Sequence, residues 1–234
     1  MKFFSLVFVS ILSFATSCFT DDATLLGCWP LNSSLANEVP SRLQIVPYGA
    51  SGRLTPTSEW FEGGSLRMAG MALTTIPDLN TATGVTITGW FVLNEIEMGF
   101  SKTAPATLVF LLNSSNPNEM FVFRILDGKF SAFSKMENKN LRTDFLIQEE
   151  EWTFFALVFT GNSVVIHQNG YTPTTIPLRN SEQYDRLYFG ATSGSGDRAL
   201  NGKMRDLRLY SGVLDAGAIK GIYENGLSAA GPAM

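Results

Sequence analysis

The sequence has few of the residues from which most enzyme centres and metal sites are built. Among 234 residues there is one histidine, His167, and there are two cysteines, Cys18 and Cys28. A single imidazole excludes multi-histidine metal sites and most histidine-based catalysis. Charged residues make up only 16% of the chain, and its net charge is −4. Because no cluster of lysine and arginine exceeds two residues, the composition argues against a nucleic-acid partner.

Long hydrophobic runs are absent except at the N-terminus. Lys2 precedes an apolar run over residues 3–14, and Ala15 and Ser17 follow with the A-x-S spacing that signal peptidase accepts. This run is shorter than the about 20 apolar residues that a membrane-spanning helix needs. We therefore predict a signal peptide over residues 1–17, secretion of the remaining chain and no transmembrane segment.

The two cysteines allow two interpretations. Export would place Cys18 and Cys28 in an oxidising compartment, which favours a disulfide bond that closes a short loop between them. Alternatively, Ala15-Thr16-Ser17-Cys18 resembles a bacterial lipoprotein box, although Ala15 stands where that box usually carries leucine. In that case Cys18 would carry a lipid and anchor the protein to a cell surface.

Two N-x-S sequons begin at Asn32 and Asn113. In a eukaryotic secretory pathway both asparagines are predicted to be glycosylated, which would place them on the surface. The type of source organism decides between glycosylation and lipidation, and the sequence does not reveal it.

The rest of the chain alternates short runs of strand-forming residues with turn signals, a pattern typical of a sandwich or barrel. Asp127-Gly128 and Asn169-Gly170 each lie between two such runs, as tight hairpin turns require. One helix is predicted near the end, with Asp215 as its N-cap and Asn225-Gly226 as its stop. The predicted strands span residues 23–31, 42–46, 65–69, 73–76, 85–93, 107–112, 120–126, 129–134, 152–160, 163–168, 172–176, 186–189 and 203–210.

These elements predict one all-β domain over residues 18–227, built as a two-sheet antiparallel jelly-roll sandwich with one short C-terminal helix. The chain contains no internal repeat at a fixed period and no linker. Residues 228–234 are predicted to form a mobile tail.

Several motifs follow one another in a specific order. They are GCWPL at 27–31, GSLRM at 64–68, VTITGWF at 85–91, EWTFFALVF at 151–159, VVIHQNG at 164–170, LYFG at 187–190 and LNGKMRDLRLY at 200–210. In this order and spacing they resemble the laminin-G-like and pentraxin-like domains of the concanavalin A-like lectin/glucanase superfamily. The resemblance covers nearly all of the mature chain. It implies a jelly roll of two curved sheets, whose members include lectins, adhesion modules and sugar-cleaving enzymes.

The resemblance also implies that calcium could bind at the rim, as it does in many members. Asp206 matches an acidic position of the closing strand, and Asn37 and Asp185 could supply further oxygens. A role as a turn cap or in a surface ion pair is slightly favoured over calcium binding for each of the three. The sequence therefore identifies no metal ligand.

Hydrolytic members of the superfamily carry paired carboxylates on one strand, in an E-x-D-x-x-E or E-x-D-x-E pattern that this sequence lacks. The runs 107–112 and 152–159 are apolar on both alternating faces, which predicts that a helix or loops cover the concave sheet and leave recognition to the rim. Trp60 and Tyr48, in a Gly- and Pro-rich stretch, are the candidate ligand contacts there. His167, beside Asn169-Gly170, is interpreted as a polar residue on an exposed hairpin.

The sequence thus favours a non-catalytic extracellular module that binds glycan or protein through rim loops. The first alternative is a structural or adhesion domain without sugar affinity. A glycoside hydrolase is the third hypothesis, and the missing carboxylate pattern speaks against it.

Overall fold

The computed structural model describes residues 23–31, 35–39, 43–47, 61–62, 65–67, 71–73, 79–93, 105–177, 183–192, 198, 200 and 202–229. Most of these residues are in β-strands, and one α-helix lies near the C-terminus. The strands are β1 Thr24–Trp29, β2 Ile45–Pro47, β3 Phe61–Glu62, β4 Ser65–Arg67, β5 Met71–Leu73, β6 Leu79–Asn80, β7 Val85–Leu93, β8 Ala106–Leu112, β9 Met120–Leu126, β10 Lys129–Ser134, β11 Lys139–Leu146, β12 Thr153–Phe159, β13 Ser163–Gln168, β14 Thr174–Pro177, β15 Gln183–Tyr184, β16 Arg186–Phe189 and β17 Gly202–Ser211. The helix is α1, Ala216–Ala229.

The strands form two large antiparallel sheets, as in the predicted jelly-roll sandwich. The first sheet has the order β14-β13-β12-β7-β17-β4-β3, and β1 also pairs with β17. The second sheet has the order β11-β10-β9-β8-β16-β5-β2. Strands β6 and β15 form a small separate pair. Neighbours such as β7 and β17 are far apart in sequence, so the sheets depend on long-range pairing.

The main core lies between the two sheets and is dominated by phenylalanine. Phe91 and Phe155 from the first sheet meet Phe130 and Phe123 from the second, with ring centroids 5.8 and 5.7 Å apart. All four side chains are fully buried. Because alternate strand residues point to opposite faces, their sequence neighbours form the outer faces of the sheets.

Helix α1 covers the outer face of the first sheet. Tyr223 stacks on Trp90 with centroids 5.6 Å apart and also contacts Phe154. Ile219 and Ile222 are buried in the same cluster. This second layer explains why the first sheet is apolar on both faces.

The predicted helix start is confirmed, whereas its predicted stop is wrong. The Asp215 carboxylate accepts a hydrogen bond from the N–H of Ala218 at 2.7 Å, as an N-cap does. The helix continues through Asn225 and Gly226 to Ala229, so it includes residues 228 and 229, which the sequence assigned to the tail. Gly226 lies inside the helix and faces Trp90 so closely that a Cβ there would lie 2.5 Å from the indole Nε1. The glycine therefore serves this close contact and not a helix stop.

Both predicted hairpin turns are confirmed. Asp127 and Asn169 have φ angles of 52° and 50°, the left-handed conformation that tight hairpin turns use, and each turn joins two paired strands. Strand β11 was not predicted, because five of its eight residues are polar or charged: Lys139, Asn140, Arg142, Thr143 and Asp144. It forms the edge of the second sheet, where polar side chains are tolerated.

Candidate functional site

The outer face of the second sheet carries no described helix, unlike that of the first, although its central residues Thr107, Phe110, Val122 and Ser131 are buried. Its residues alternate along β8, β9, β10, β11 and β16 with residues that enter the main core. We call this surface the arginine face. It consists of Thr107, Phe110, Val122, Arg124, Ser131, Phe133, Asn140, Arg142 and Tyr188.

A polar row crosses the arginine face. Strand register places directly opposed residues of four neighbouring strands in one line, and opposed side chains lie close together. This row consists of Thr107, Arg124, Ser131 and Arg142. A second row runs parallel to the first, two residues away along β9, β10 and β11 and three residues away along β8, where a bulge adds one residue. This row is largely aromatic and consists of Tyr188, Phe110, Val122, Phe133 and Asn140.

Arg124 lies at the centre of the polar row. It is only 9% exposed, and its guanidinium carbon lies 5.5 Å from the centroid of the Phe133 ring. The Nε of Arg124 and the hydroxyl of its cross-strand neighbour Thr107 are both buried without a hydrogen-bond partner among the described residues. Buried polar groups without partners are uncommon and typically cost about 1–3 kcal/mol each. The centre of this face therefore holds two unsatisfied polar groups side by side.

The electrostatics of the face are those of a cation without a counter-ion. Burial lowers the pKa of Arg124, and the positive charges of Arg198 and Arg142 lower it further. Arg198 is held at the start of β8, where its carbonyl accepts a hydrogen bond from the N–H of Thr107 at 2.9 Å. Arg142 is paired with Asp127 at 2.6 Å, which leaves Arg124 without a carboxylate partner in this part of the chain.

The buried arginines of the first sheet are stabilised in a different way. The guanidinium carbon of Arg205 lies 4.2 and 5.3 Å from the ring centroids of Trp152 and Trp90, although its Nη2, like Arg124 Nε, is buried without a hydrogen-bond partner among the described residues. Arg208 donates from Nε and Nη2 to the two carboxylate oxygens of Asp206, at 2.9 and 3.1 Å. Burial lowers the pKa of Arg208, but Asp206 outweighs this and raises it above its usual range.

Most residues predicted to take part in a site lie outside the described residues: Cys18, Asn32, Tyr48 and Trp60. The disulfide, the first glycosylation site and the Trp60 and Tyr48 contacts therefore stay predictions. Cys28 is 2% exposed, and its Sγ lies 4.0 Å from a carboxylate oxygen of Glu38. Asn113 lies in the turn after β8, where its amide group donates to Glu119 at 2.8 Å, and its glycosylation also stays a prediction.

The three residues considered for calcium are each engaged within the protein. Asn37 accepts hydrogen bonds from the backbone of Cys28 and Val39 and donates to the carbonyl of Leu43. Asp185 accepts from the N–H and hydroxyl of Ser114, and Asp206 holds Arg208. Across the described ranges, no three His, Cys, Asp or Glu side chains are grouped so that they could hold a metal ion.

The interpretation of His167 as an exposed hairpin residue is wrong. It is 9% exposed, and burial lowers its pKa below the usual value. It pairs across strands with Ala156 on the outer face of the first sheet, where the second apolar cluster packs. Placement beside a hairpin turn does not ensure exposure when a helix covers that end of the sheet.

The described part of the rim carries one exposed aromatic pair. Tyr171, in the turn after β13, stacks on Phe145 of β11 with ring centroids 5.0 Å apart, and Tyr171 is 56% exposed. Leu146, beside this pair, is 62% exposed.

In the same described segments, no helix has the length and apolar character needed to cross a membrane.

Comparisons with known proteins agree with this architecture. A laminin-G family model described as "Concanavalin A-like lectin/glucanases superfamily" matches residues 68–220, which is more than half of the chain. No curated protein sequence matches the chain.

Among solved structures, domain 4 of AbnA, a GH43 extracellular arabinanase from Geobacillus stearothermophilus in complex with arabinotriose, is 14% identical with a TM-score of 0.61. The match covers 87% of this chain and 100% of that domain. The binding domain of botulinum neurotoxin serotype G is 10% identical with a TM-score of 0.63, over 88% of this chain and 52% of the other. A heptameric SAP-like pentraxin from Limulus polyphemus is 13% identical with a TM-score of 0.52, over 76% and 80% of the two chains. Such low identities show a shared fold alone. The family model, which matches more than half of the chain, establishes that the chain belongs to the concanavalin A-like lectin/glucanase superfamily.

Proposed function

We propose that this protein is a non-catalytic recognition module that binds saccharide on the arginine face. The observation that carries the proposal is the accessible part of this face, where the rings of Phe133 and Tyr188 are half-buried and Asn140 and Arg142 are exposed. Saccharide rings present hydroxyl groups at their edges and apolar C–H groups on their faces. A surface that binds them needs hydrogen-bonding and aromatic side chains at neighbouring positions.

The aromatic row supplies the apolar part of this surface. Phe110 and Tyr188 lie in contact, with ring centroids 5.5 Å apart, and Phe133 lies on the other side of Val122. Phe110 and Val122 are buried, whereas Phe133 and Tyr188 are half-buried and keep accessible ring surface. The two half-buried rings are therefore the expected contacts for a saccharide ring.

The chemistry of the face supports binding without hydrolysis. A retaining glycosidase needs two carboxyl groups about 5–5.5 Å apart, and an inverting enzyme needs two that are about 6.5–9.5 Å apart. Neither row of the arginine face contains an Asp or a Glu. The Glu149-Glu150-Glu151 triplet is exposed and lies in the turn before β12, away from both rows.

The rim offers a second candidate function, adhesion to another protein without sugar affinity. The exposed Tyr171, stacked on Phe145 and next to the exposed Leu146, forms the kind of apolar patch that protein interfaces use. Exported from the cell, the module would meet either partner outside it.

Saccharide-array binding of the purified protein tests the proposal, with Phe133→Ala as the variant on the arginine face and Tyr171→Ala as the control on the rim. We expect binding by the wild type and by Tyr171→Ala, and weaker binding by Phe133→Ala. Repeating the array with calcium and with a chelator shows whether recognition depends on the metal. Silence of the wild type under both conditions would contradict saccharide binding and favour the adhesion function.

A further inference from the structure

Strand β11 leaves one edge of the second sheet open. It ends the strand order of that sheet, and among the described strands it pairs only with β10. An open edge presents a row of backbone N–H and C=O groups to any strand that aligns with it. β11 has eight residues and no proline, whereas β14, which ends the first sheet, has four residues, the last of which is Pro177. β11 is therefore the longer and less obstructed of these two edges.

Exposed apolar side chains gather around this edge. Of the four large hydrophobic residues that are exposed in the described ranges, three lie at β11 or next to it. Met136 lies in the turn before β11, Leu146 is its last residue, and Tyr171 stacks on Phe145. Exposed apolar groups concentrated in one place are typical of an interaction surface. The edge thus combines open backbone groups with uncovered apolar surface.

The sequence of β11 is complementary to itself. In an antiparallel pair of two β11 strands centred on Thr143, Arg142 of each copy lies opposite Asp144 of the other. The same alignment places Leu141 opposite Phe145. Exposure alternates along the strand, with Arg142 and Asp144 exposed and Thr143 buried between them. The opposite charges therefore meet on the outer face, and the apolar side chains meet on the face toward the core.

Both charges are available for such a pair. Asp144 is exposed and forms no ion pair with a described residue. Arg142 donates from one Nη to Asp127, but its side chain is 42% exposed. A guanidinium carries five N–H donors, so Arg142 keeps donors for a second carboxylate.

The charges also select this alignment against its neighbours. Moving the centre of the pair to Arg142 would place two arginines opposite each other, and moving it to Asp144 would oppose two aspartates. Like charges directly opposite each other destabilise a strand pair. Lys139, the kind of residue that obstructs edge pairing, lies outside the paired residues 140–146. The register of β11 with β10 is irregular between Arg142 and Leu146, yet exposure still alternates there.

We infer that β11 is the interface through which two copies of this chain associate, by antiparallel pairing about Thr143. The inference goes beyond saccharide binding and does not rest on it. Pairing joins the two seven-stranded sheets into one continuous sheet, and it assigns a second copy to the apolar patch at Phe145 and Leu146. Because residues of the outer face pair with residues of the outer face, the arginine faces of both copies lie on the same side. Two recognition surfaces would then engage one multivalent ligand together.

Sedimentation velocity of the purified full chain tests this pairing by charge reversal. Asp144→Arg places two arginines opposite each other at both symmetry-related positions, and Arg142→Asp does the same with aspartates. We expect a dimeric wild type, and each variant alone should raise the dissociation constant of the dimer at least about tenfold, because opposed like charges repel across an interface. Lys220→Glu, a charge reversal at a residue that is 71% exposed on α1, is the control and should dimerise like the wild type.

Mixing the two variants tests the alignment itself. Asp144→Arg with Arg142→Asp restores an opposite-charge pair at both positions, so an equimolar mixture should form a heterodimer although neither variant dimerises well alone. Thermal unfolding of each variant checks that it folds.

Three results would overturn the inference. A wild type that stays monomeric at every concentration would exclude self-pairing and leave β11 to a strand of a different protein. A dimer that neither reversal weakens would have its interface elsewhere. Folded variants that fail to associate when mixed would show that Arg142 and Asp144 do not oppose each other.

Discussion

The ion pair between Arg208 and Asp206 allows a quantitative test of what holds the first sheet together. The side chain of Arg208 is 5% exposed and that of Asp206 is 21% exposed, and two hydrogen bonds join them. Asp206 lies in a bulge of β17 with a φ of 47°. Asparagine also tolerates this left-handed backbone conformation, so Asp206→Asn removes the charge without adding backbone strain.

The expected loss follows from the burial of the arginine. Removing one partner of a buried ion pair costs about 3–5 kcal/mol, because the other charge is left uncompensated. Asp206 keeps about a fifth of its side-chain surface in water, and the amide oxygen of the substituted asparagine would still accept one hydrogen bond, so we expect about 2–3 kcal/mol. For a chain of this length that lowers the Tm by about 4–12 °C.

Thermal unfolding followed by circular dichroism measures this loss, with Glu224→Gln as the matched control. Glu224 pairs with Lys220 on the helix surface at 3.6 Å, where both side chains are more than half exposed, and its loss should cost at most about 0.5 kcal/mol. Adding Arg208→Met to Asp206→Asn should restore part of the stability, since no buried charge then remains without a partner.

Two results would refute this reasoning. Additive losses in the double variant would show that the two residues do not stabilise each other. A Tm of the wild type that rises with calcium, together with a Tm of Asp206→Asn that does not, would show that Asp206 binds a metal ion instead of Arg208.

Three further predictions concern the helix, the histidine and the rim. Gly226→Ala should lower the Tm, because its Cβ would lie 2.5 Å from Trp90 Nε1, while Gly221→Ala, with nothing within 4 Å, should raise stability by about 0.5–1 kcal/mol. Equal effects of the two would contradict the close helix–sheet contact. Burial lowers the pKa of His167 below 6.5, so its contribution to stability is complete above that pH and is lost as the pH falls. The Tm should therefore fall as the pH is lowered below about 6.5, and it should fall less in His167→Gln. Tyr171→Ala, at a residue that is 56% exposed, should change the Tm little and leave saccharide binding intact, and loss of binding would move the site to the rim.

The fold could be predicted from the sequence because its signals are local and repeated. Period-2 patterns, two turns with positive φ and an N-cap at Asp215 each act within a few residues of the chain. Strand β11 was not predicted, since an edge strand needs no apolar face. The end of α1 was misjudged for a tertiary reason, because Gly226 is required by contact with Trp90 and not by a turn.

The candidate site could not be predicted in the same way, because it depends on register. Thr107, Arg124, Ser131 and Arg142 are spread over 36 positions and form one row only when four strands pair with particular offsets. An irregularity in β8 between Thr107 and Val109 shifts this register further. The one signal in the sequence was Arg124 itself, a charge in an otherwise apolar strand.

The two sheets differ in how their buried arginines are stabilised. On the first sheet a helix covers the outer face, and Arg205 and Arg208 have aromatic rings or a carboxylate as partners. On the second sheet Arg124 contacts one ring, Phe133, and has no carboxylate partner among the described residues. Each sheet nevertheless buries one guanidinium nitrogen without a hydrogen-bond partner, Nη2 of Arg205 and Nε of Arg124. An unpartnered guanidinium nitrogen is therefore common to both sheets and does not by itself distinguish the surface of either.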